Sequence, residues 1–404
     1  MNGTTPPTAL SRRLAGIKGS PMLALVGKTA ELRAQGRDLI GLHAGEPDFD
    51  TPGHIQEAAI AAMRAGETRY TATEGTAALR EAIVRKFTRE NGLTYTARQV
   101  IVSTGAKQVI YGALMATVDP GDEVIIPLPA YPAYAEVTLL CGGTPVHVGC
   151  DSGFKLTPGL LEQALSERTR WLILCSPSNP TGAVYSAEEL RELAQVLARY
   201  PKVWVLSDDI YEHLLFDGTS FATMAAAAPG MADRTLTVNG VSKAYCMTGW
   251  RIGYGAGPQA LVKAMGTLQS QATSGACSVA QAAACAALDG PQDFLRLQQS
   301  VYRDRRDLVV AGLRAAPHVH CDLPSGAFYV LASCADALDR QTPNGTRLKT
   351  DEDFATYLLD SVGVVVVPGS VFGAPGHFRI SYAADTQLLN EACHRIATAT
   401  AQLR

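Results

Sequence analysis

The stretch VSKAYCMTGWRIGYG, residues 241–255, contains one lysine among small and aromatic residues and has no carboxylate. Lys243 follows the apolar run TLTVNG (235–240), and Arg251 lies eight residues further on. A lysine held in enclosed surroundings loses its proton readily, and a neutral amine can form a Schiff base with an aldehyde. A solvated side chain is the more common fate of a single lysine. The function of Lys243 therefore depends on what the rest of the chain brings to it.

Composition excludes several classes of function. The chain has 404 residues, a formal net charge of −3, 47% hydrophobic residues and 18% charged residues. This balance indicates a large packed core and gives no basic face for nucleic acid or an anionic membrane. The longest aliphatic run, VGVVVV (362–367), is too short to span a bilayer. We therefore expect no nucleic-acid or membrane partner.

The nine cysteines are scattered without a C-x-x-C pair, which indicates reduced intracellular thiols. The first residues lack the apolar core of a secretory signal. His318 and His320 have no third ligand nearby in the sequence, so we predict no metal site. These features predict a cytoplasmic protein.

Short apolar runs alternate with amphipathic segments of helical length through the first three quarters of the chain. Near-continuous apolar strands separated by helices predict an α/β fold whose mostly parallel sheet is covered on both faces. One helix should begin after Ser186, where Glu189 completes a capping box. The predicted strands are VIVS (100–103), EVIIP (123–127), WLILCS (171–176), VWVLSD (203–208), TLTVNG (235–240) and IGYGAG (252–257).

The pattern changes after Gly290-Pro291, where a helix over roughly 291–316 leads into SGAFYVL, a helix near 352–361, a single strand in the valine run VVVV (364–367), and FRISYA. This order predicts a smaller α+β unit. We expect three parts: an N-terminal arm (1–47) that packs with the small domain, a large domain (48–290) and a small C-terminal domain (291–404).

Polar residues follow several of the predicted strands, and ligands of open α/β sheets bind beyond the carboxyl ends of strands. Gly105-Ala106-Lys107 opens a helix, where free amides and the helix dipole favour an anion such as phosphate, although an ordinary turn explains the same pattern. In CSPSNPTGAVY, two prolines and a glycine form a rigid loop that presents Asn179 to a ligand or to its own turn.

An aspartate and a tyrosine follow the next strand. Asp208 ends VWVLSD, where a buried carboxylate needs a cationic partner, unless it only caps a helix. Tyr211 follows three residues later. Together these strand ends supply an anion cup, a carboxylate, a phenol, an amide and the amine of Lys243. Pyridoxal 5'-phosphate (PLP) has a group for each of them: a phosphate, a pyridine nitrogen, a phenolic oxygen and an aldehyde.

The motifs SPSNPTG, SDDIYEHL, TVNGVSKAYCMTGWRIGY and FRISYA, in this order, resemble those of fold-type-I, PLP-dependent class I/II aminotransferases, and most closely bacterial aspartate aminotransferases. The resemblance covers essentially the whole chain. It implies a large domain with a mostly parallel seven-stranded sheet plus a smaller α+β domain. It also implies a homodimer with shared active sites, in which Tyr70 reaches the phosphate bound by the neighbouring subunit.

The resemblance also implies a role for each motif residue. Lys243 becomes the Schiff-base lysine and proton shuttle, and Asp208 pairs with the pyridine nitrogen. Asn179 and Tyr211 bind the phenolic oxygen. Arg379 binds the substrate α-carboxylate in a bidentate fork. The phosphate is held by Gly105, Ala106, Lys107, Ser242 and Arg251, and Tyr131 stacks on the cofactor ring.

Substrate choice depends on residues around this set. Lys107 matches a lysine that lies near the distal carboxylate of the substrate in the aspartate-preferring subgroup, although it can also be a plain first-turn lysine. Other positions depart from the subgroup. Ala130-Tyr131 replaces Tyr-Trp, TSGACS (273–278, including Gly275 and Ala276) replaces T-S-N-P-x-S, and His43 replaces a small residue beside the substrate.

The leading hypothesis is a ping-pong aminotransferase that moves the amino group of aspartate or glutamate to a 2-oxo acid. The altered pocket keeps two alternatives open: a transaminase of a specialised pathway with a neutral or aromatic donor, or a PLP-dependent β-lyase. A transcriptional regulator that uses this fold as a sensor is disfavoured, because only about forty residues precede GEPDF.

Overall fold

The computed structural model describes residues 11–14 and 16–404, so the first ten residues of the predicted arm lie outside it. The helices are α1 (Pro21–Ala34), α2 (Gly53–Arg64), α3 (Ala77–Asn91), α4 (Ala106–Met115), α5 (Ala133–Leu140), α6 (Pro158–Ala164), α7 (Ala187–Leu197), α8 (Met224–Ala227), α9 (Gln259–Ala272), α10 (Ser278–Asp289), α11 (Asp293–Ala315), α12 (Asp351–Val362) and α13 (Thr386–Ala401). The strands are β1 (Ile40–Gly41), β2 (Val100–Ser103), β3 (Glu123–Leu128), β4 (Thr144–Gly149), β5 (Thr169–Cys175), β6 (Trp204–Asp208), β7 (Thr235–Gly240), β8 (Gly253–Ala256), β9 (Tyr329–Ser333), β10 (Val364–Val365), β11 (Val367–Pro368) and β12 (His377–Ser381).

The main sheet has seven strands in the order β2-β8-β7-β6-β5-β3-β4. Only β8 runs antiparallel to its neighbours, and the other pairs are parallel. The predicted mostly parallel, seven-stranded sheet is therefore confirmed. Strands β2 and β7 are buried along their whole length, because helices cover both faces, and this burial explains their near-continuous apolar sequences.

Strand β4 was missed in the sequence. It lies at the edge of the sheet, pairs only with β3 and is mostly exposed or half-buried. Its sequence TPVHVG contains a proline and lacks the apolar run of a central strand, as is common at an edge. Helix α7, in contrast, begins as predicted: Ser186 caps it and Glu189 completes the capping box.

The valine run was predicted to be one strand, and this was wrong. Val364–Val365 pairs in parallel with Ile40–Gly41, whereas Val367–Pro368 pairs with β12 in a three-stranded antiparallel sheet of order β11-β12-β9. The chain thus changes sheets at Val366, and the uniform valine sequence gives no sign of the change. The pairing also joins the N-terminal arm to the C-terminal third. The three-part domain division itself stays a prediction.

Parallel pairing decides where the polar residues lie. Because β5, β6 and β7 run side by side in the same direction, their carboxyl ends meet at one edge of the sheet, and α4 begins at the same edge after β2. In the part of the chain that the structure describes, no helix combines the length and the apolar character needed to cross a bilayer.

Candidate active site

A cavity of about 500 Å³ lies beyond this edge of the sheet, between the strand ends, the N-terminal arm and Arg379 of β12. It brings together most of the residues predicted from the sequence. Those that line it are His43, Ala106, Lys107, Tyr131, Asn179, Asp208, Tyr211, Ser242, Lys243, Arg251 and Arg379.

Lys243 lies at the centre of this set, in the turn that follows β7. Its Nζ donates a hydrogen bond to the Gly45 carbonyl and lies 5.7 Å from the centre of the Tyr211 ring. Burial and the nearby Arg379 guanidinium lower the pKa of Lys243 to about 8. The amine therefore loses its proton far more easily than a solvated lysine, as the sequence around it predicted.

Asp208 ends β6 and is buried. Burial raises the pKa of its carboxyl to about 6, partly offset by the Tyr134 hydroxyl, which donates a 2.6 Å hydrogen bond to Oδ2. Tyr134, on α5, was not predicted from the sequence. Its ring contacts that of Tyr131 edge to face, with the ring centres 5.7 Å apart.

Arg379 is fully buried and is held in place by its neighbours. Its two terminal nitrogens donate to Asn179 Oδ1 at 2.9 Å and to the His43 carbonyl at 2.7 Å. The guanidinium lies 4.4 Å from the centre of the Tyr329 ring, and its buried Nε has no partner among the described residues. An arginine that is fixed but incompletely satisfied suits the binding of a planar anion such as carboxylate.

The phenols of Tyr211 and Tyr329 lie 2.9 Å apart. Tyr329, in β9, also lines the cavity and was not predicted. Because Asn179 uses its Oδ1 to accept from Arg379, its amide nitrogen stays available to donate into the cavity. Two donors, an amide and a phenol, therefore lie where an anionic oxygen can be bound.

The predicted anion cup is formed by the start of α4 and by Arg251. Gly105 has φ +86°, and a Cβ at this position would lie 2.4 Å from an Arg251 guanidinium nitrogen. The amides of Ala106 and Lys107 open the helix, where backbone N–H groups have no intrahelical acceptor. Arg251 itself has φ +57°, a strained backbone conformation that is common at functional sites.

Two predicted site residues lie outside the cavity lining in this chain. Gly105 contributes its backbone shape behind Arg251. Tyr70 is 99% exposed, on the surface beside the TSGACS loop, where a Cβ on Gly275 would lie 2.5 Å from the Thr71 hydroxyl. The exposed ring and the altered loop are therefore neighbours.

Comparison with known proteins identifies the family. The family model for Aminotransferase class I and II matches residues 37–396. The chain belongs to this family. An aspartate/prephenate aminotransferase of Cereibacter sphaeroides is 55% identical over 389 residues, which are 96% of this chain and 97% of that protein.

Solved structures of aminotransferases agree closely with the fold. The aspartate aminotransferase from Rhizobium meliloti superimposes with a TM-score of 0.96 at 52% identity, over 98% of this chain and 100% of that one. The aspartate aminotransferase from Thermus thermophilus with maleate gives a TM-score of 0.90 at 42% identity, over 97% of this chain and 100% of that one. The family resemblance predicted from the motifs is confirmed.

Class I and II aminotransferases depend on PLP, and the cavity of this aminotransferase fits that cofactor. A side chain at Gly105 would displace the Arg251 guanidinium, and this cradle faces the free amides at the start of α4, as a phosphate requires. Asp208 supplies the acidic partner for a pyridine nitrogen, and Lys243 supplies an amine with a near-neutral pKa.

The altered positions lie around this cofactor set. His43 is buried, and burial together with Arg33 lowers its pKa to about 4, so the imidazole is neutral at physiological pH. Its Nδ1 is buried without a partner among the described residues. Tyr131 lies under the ammonium of Lys107, 5.3 Å from Nζ to the ring centre.

Proposed function

We propose that this aminotransferase takes an acidic amino acid, aspartate or glutamate, as donor and passes its amino group to a 2-oxo acid in a ping-pong cycle. One observation carries this proposal: two cations, Arg379 and Lys107, face the same cavity as the near-neutral amine of Lys243. A dicarboxylic amino acid offers one carboxylate to each cation.

In this proposal, each chemical group of the cofactor is bound by particular residues of the cavity. Ser242, Arg251 and the amides at the start of α4 hold the phosphate, and Asp208 faces the pyridine nitrogen. Asn179 and Tyr211 donate to the phenolic oxygen, and Tyr131 lies against the ring. When bound, PLP supplies an electrophilic aldehyde carbon and a ring that accepts electrons from the substrate Cα.

Lys243 does the acid–base work of the proposed reaction. Its Nζ, once neutral, removes a proton from the substrate Cα and returns one during the second half-reaction. Burial and Arg379 lower the pKa of this amine to about 8, which keeps a useful fraction of it neutral near neutral pH. The carbonyl of Gly45 orients the amine when it is free.

Arg379 and Lys107 divide substrate recognition between them. Arg379 is rigid and planar because Asn179, the His43 carbonyl and the Tyr329 ring hold it, so it suits the α-carboxylate that every substrate shares. Lys107 is exposed and flexible, so it suits the distal carboxylate of acidic donors. The Thermus thermophilus relative was solved with maleate, a dicarboxylate, in agreement with two cationic contacts.

The test is a donor panel with 2-oxoglutarate as acceptor, run on the parent enzyme and on Lys107→Gln. We expect transfer from aspartate, and we expect Lys107→Gln to lower kcat/KM for aspartate roughly tenfold while neutral donors change little. The matched control is Lys263→Gln, an exposed helical lysine outside the cavity. No transfer from aspartate, with transfer from a neutral or aromatic donor, would contradict the proposal. Pyruvate and ammonia released without an acceptor would indicate a β-lyase instead.

A second candidate is a larger, cyclic 2-oxo acid as acceptor. A cavity of about 610 Å³ adjoins the first and shares Lys107 and Tyr131 with it, so the site has room beyond an aspartate side chain. The Cereibacter sphaeroides relative is named for prephenate as well as aspartate. Incubation of the enzyme with glutamate and prephenate, followed by chromatography of the amino acids formed, tests this acceptor.

The proposal includes three further features: the oligomeric state, the cellular location and the domain division. We expect a homodimer, in which exposed Tyr70 reaches the phosphate bound by the second subunit. Light scattering of the parent tests the dimer, and weaker PLP retention in Tyr70→Phe tests the shared site. The cytoplasmic location and the three-part domain division stay predictions from the sequence.

A further inference from the structure

A buried group of charged and amide side chains lies behind the cavity. Lys86 of α3 has no exposed surface, and its Nζ donates to Glu212 Oε1 and, at 2.7 Å, to Asn91 Oδ1. The other oxygen of Glu212 accepts from Asn91 Nδ2 at 2.6 Å. Asn239 of β7 donates its amide to Glu212 Oε1 at 2.7 Å. We call Lys86, Glu212 and Asn239 the buried triad.

The buried triad joins two segments that carry site residues. Glu212 directly follows Tyr211, in the turn after β6. Asn239 is the next-to-last residue of β7, and the turn with Lys243 begins just after it. The backbone ladder between β6 and β7 ends at Asp208 and Val238, so the Asn239–Glu212 hydrogen bond continues the connection by one further step.

The contact between the two segments is close and specific. Asn239 Oδ1 also accepts from the Gly240 amide at 2.7 Å, so one side chain fixes both its own turn and Glu212. A Cβ on Gly240 would lie 3.1 Å from the Ile210 side chain, which shows how little room separates the segments. A change in the position of one turn therefore moves the other.

A buried ion pair is an unusual choice for stability alone. The free-energy cost of removing two charges from water offsets their mutual attraction. Replacing such a pair with apolar side chains therefore often leaves the stability of a protein unchanged or increases it. Burial by itself would raise the pKa of Glu212, but Lys86 and His213 hold that pKa below its ordinary value, so the carboxylate stays charged. A permanently charged acceptor gives Asn239 a strong and directional hydrogen bond.

We propose that the buried triad is a positioning group, which holds the turn of Tyr211 and the turn of Lys243 at a fixed separation. None of its members lines the cavity, so it acts through the two cavity residues. The proposal rests on the roles given above to Tyr211 and Lys243. Small displacements of reacting groups lower rates strongly, so loosening this tie lowers kcat more than it raises KM.

The test removes the hydrogen bond that Asn239 donates to Glu212. Asn239→Asp keeps the acceptor for the Gly240 amide but replaces the donor to Glu212 with a second carboxylate. In the holoenzyme we expect kcat to fall roughly tenfold to hundredfold, with KM changed less than about threefold. We also expect a shift in the pH at which the visible absorption of bound PLP changes.

A second variant covers the case in which Asn239→Asp fails to fold. Asn239→Ser is neutral and too short to reach Glu212, so it should lower kcat and shift the absorption titration without adding a charge. The stability control is Arg306→Met, which removes another buried cation outside the cavity lining and leaves the Pro324 carbonyl without this donor and Asp217 without this cation. We expect this control to lower the melting temperature without moving the titration of bound PLP.

Each result decides the proposal. Parent kcat and an unshifted PLP titration in both Asn239 variants would overturn it, as would equal losses in the Arg306 control. Lys243→Ala separates this failure from failure of the proposed function. If Lys243→Ala loses turnover while the Asn239 variants keep it, only the positioning role is wrong. Turnover retained by Lys243→Ala would overturn both.

Discussion

Replacing Asp208 with asparagine should stabilise the cofactor-free protein increasingly from about pH 4 upward, with most of the effect present by about pH 6. Burial raises the pKa of this carboxyl from 3.8 to about 6. A carboxyl whose pKa is raised by folding favours the folded state below its unfolded pKa, and this stability is lost as the pH rises through the folded pKa. The parent therefore carries a cost at neutral pH that asparagine removes, since asparagine does not ionise.

The shift gives the size of the effect. About two pKa units correspond to about 3 kcal/mol. The free energy of unfolding of Asp208→Asn should exceed that of the parent by an amount that grows from about 1.5 kcal/mol near pH 5 to about 3 kcal/mol near pH 8. A constant offset from altered hydrogen bonding with Tyr134 adds to both values, so the change with pH is the quantity to measure.

Urea unfolding of the two apoproteins at several pH values, at one protomer concentration, measures this change. Asp353→Asn is a control of opposite sign. The amides of Lys349 and Thr350 hold the pKa of Asp353 below its usual range, so that variant should lose stability at neutral pH and approach the parent on acidification. A pH-independent difference between Asp208→Asn and the parent would refute the reasoning. With PLP bound, the same substitution should lower kcat by roughly 10²–10³-fold, because it removes one partner of a buried ion pair.

Three further changes test separate contacts of the site. Arg379→Lys cannot reproduce the planar fork, so KM for every amino donor should rise roughly tenfold to hundredfold in steady-state assays. Tyr134→Phe removes the hydroxyl that donates to Asp208, so the midpoint of the pH-dependent stability change in the apoprotein should move up by roughly one to two pH units. His43→Gly removes an imidazole whose pKa is about 4, so the pH profile of kcat/KM above about pH 5.5 should not change, whereas kcat/KM for bulky donors should rise relative to aspartate by about tenfold or less. If the pH profile of kcat/KM of the parent has an inflection near pH 6.5 and the profile of His43→Gly lacks it, the expectation for His43 is wrong.

The parts of the site that follow parallel strands were predictable from the sequence. Asn179, Asp208 and Lys243 each come at or just after an apolar run, and parallel pairing brings the ends of such runs together. A polar residue at the end of a buried strand needs a partner, which is a strong local sign of function. The geometry common to all open α/β sheets then places these residues together at one edge of the sheet.

Other parts left no such sign. Tyr134 contacts Asp208 across 74 residues of chain, and Tyr329 contacts Tyr211 across 118. Both tyrosines lie in segments whose apolar character is explained by packing alone, so nothing local marks them as part of a site. The edge strand β4 and the change of sheet at Val366 were missed for the same reason, because long-range pairing decides them.

The electrostatics of the cavity explain why its charges need the cofactor. Burial lowers the pKa of Lys243 and of Arg379 and raises that of Asp208, so all three are pushed towards their neutral forms. The protein does not pair these charges with each other by direct contact. Lys243 donates to a backbone carbonyl, and Asp208 accepts from a phenol. A ligand with an anionic phosphate, a basic ring nitrogen and an electrophilic carbon offers a partner to the cationic groups, to the Asp208 carboxyl and to the Lys243 amine. The site therefore stores unfavourable electrostatic energy in the free protein, and binding of PLP and the substrate carboxylates in the proposed positions would release it, which is how a preorganised site differs from a collection of surface charges.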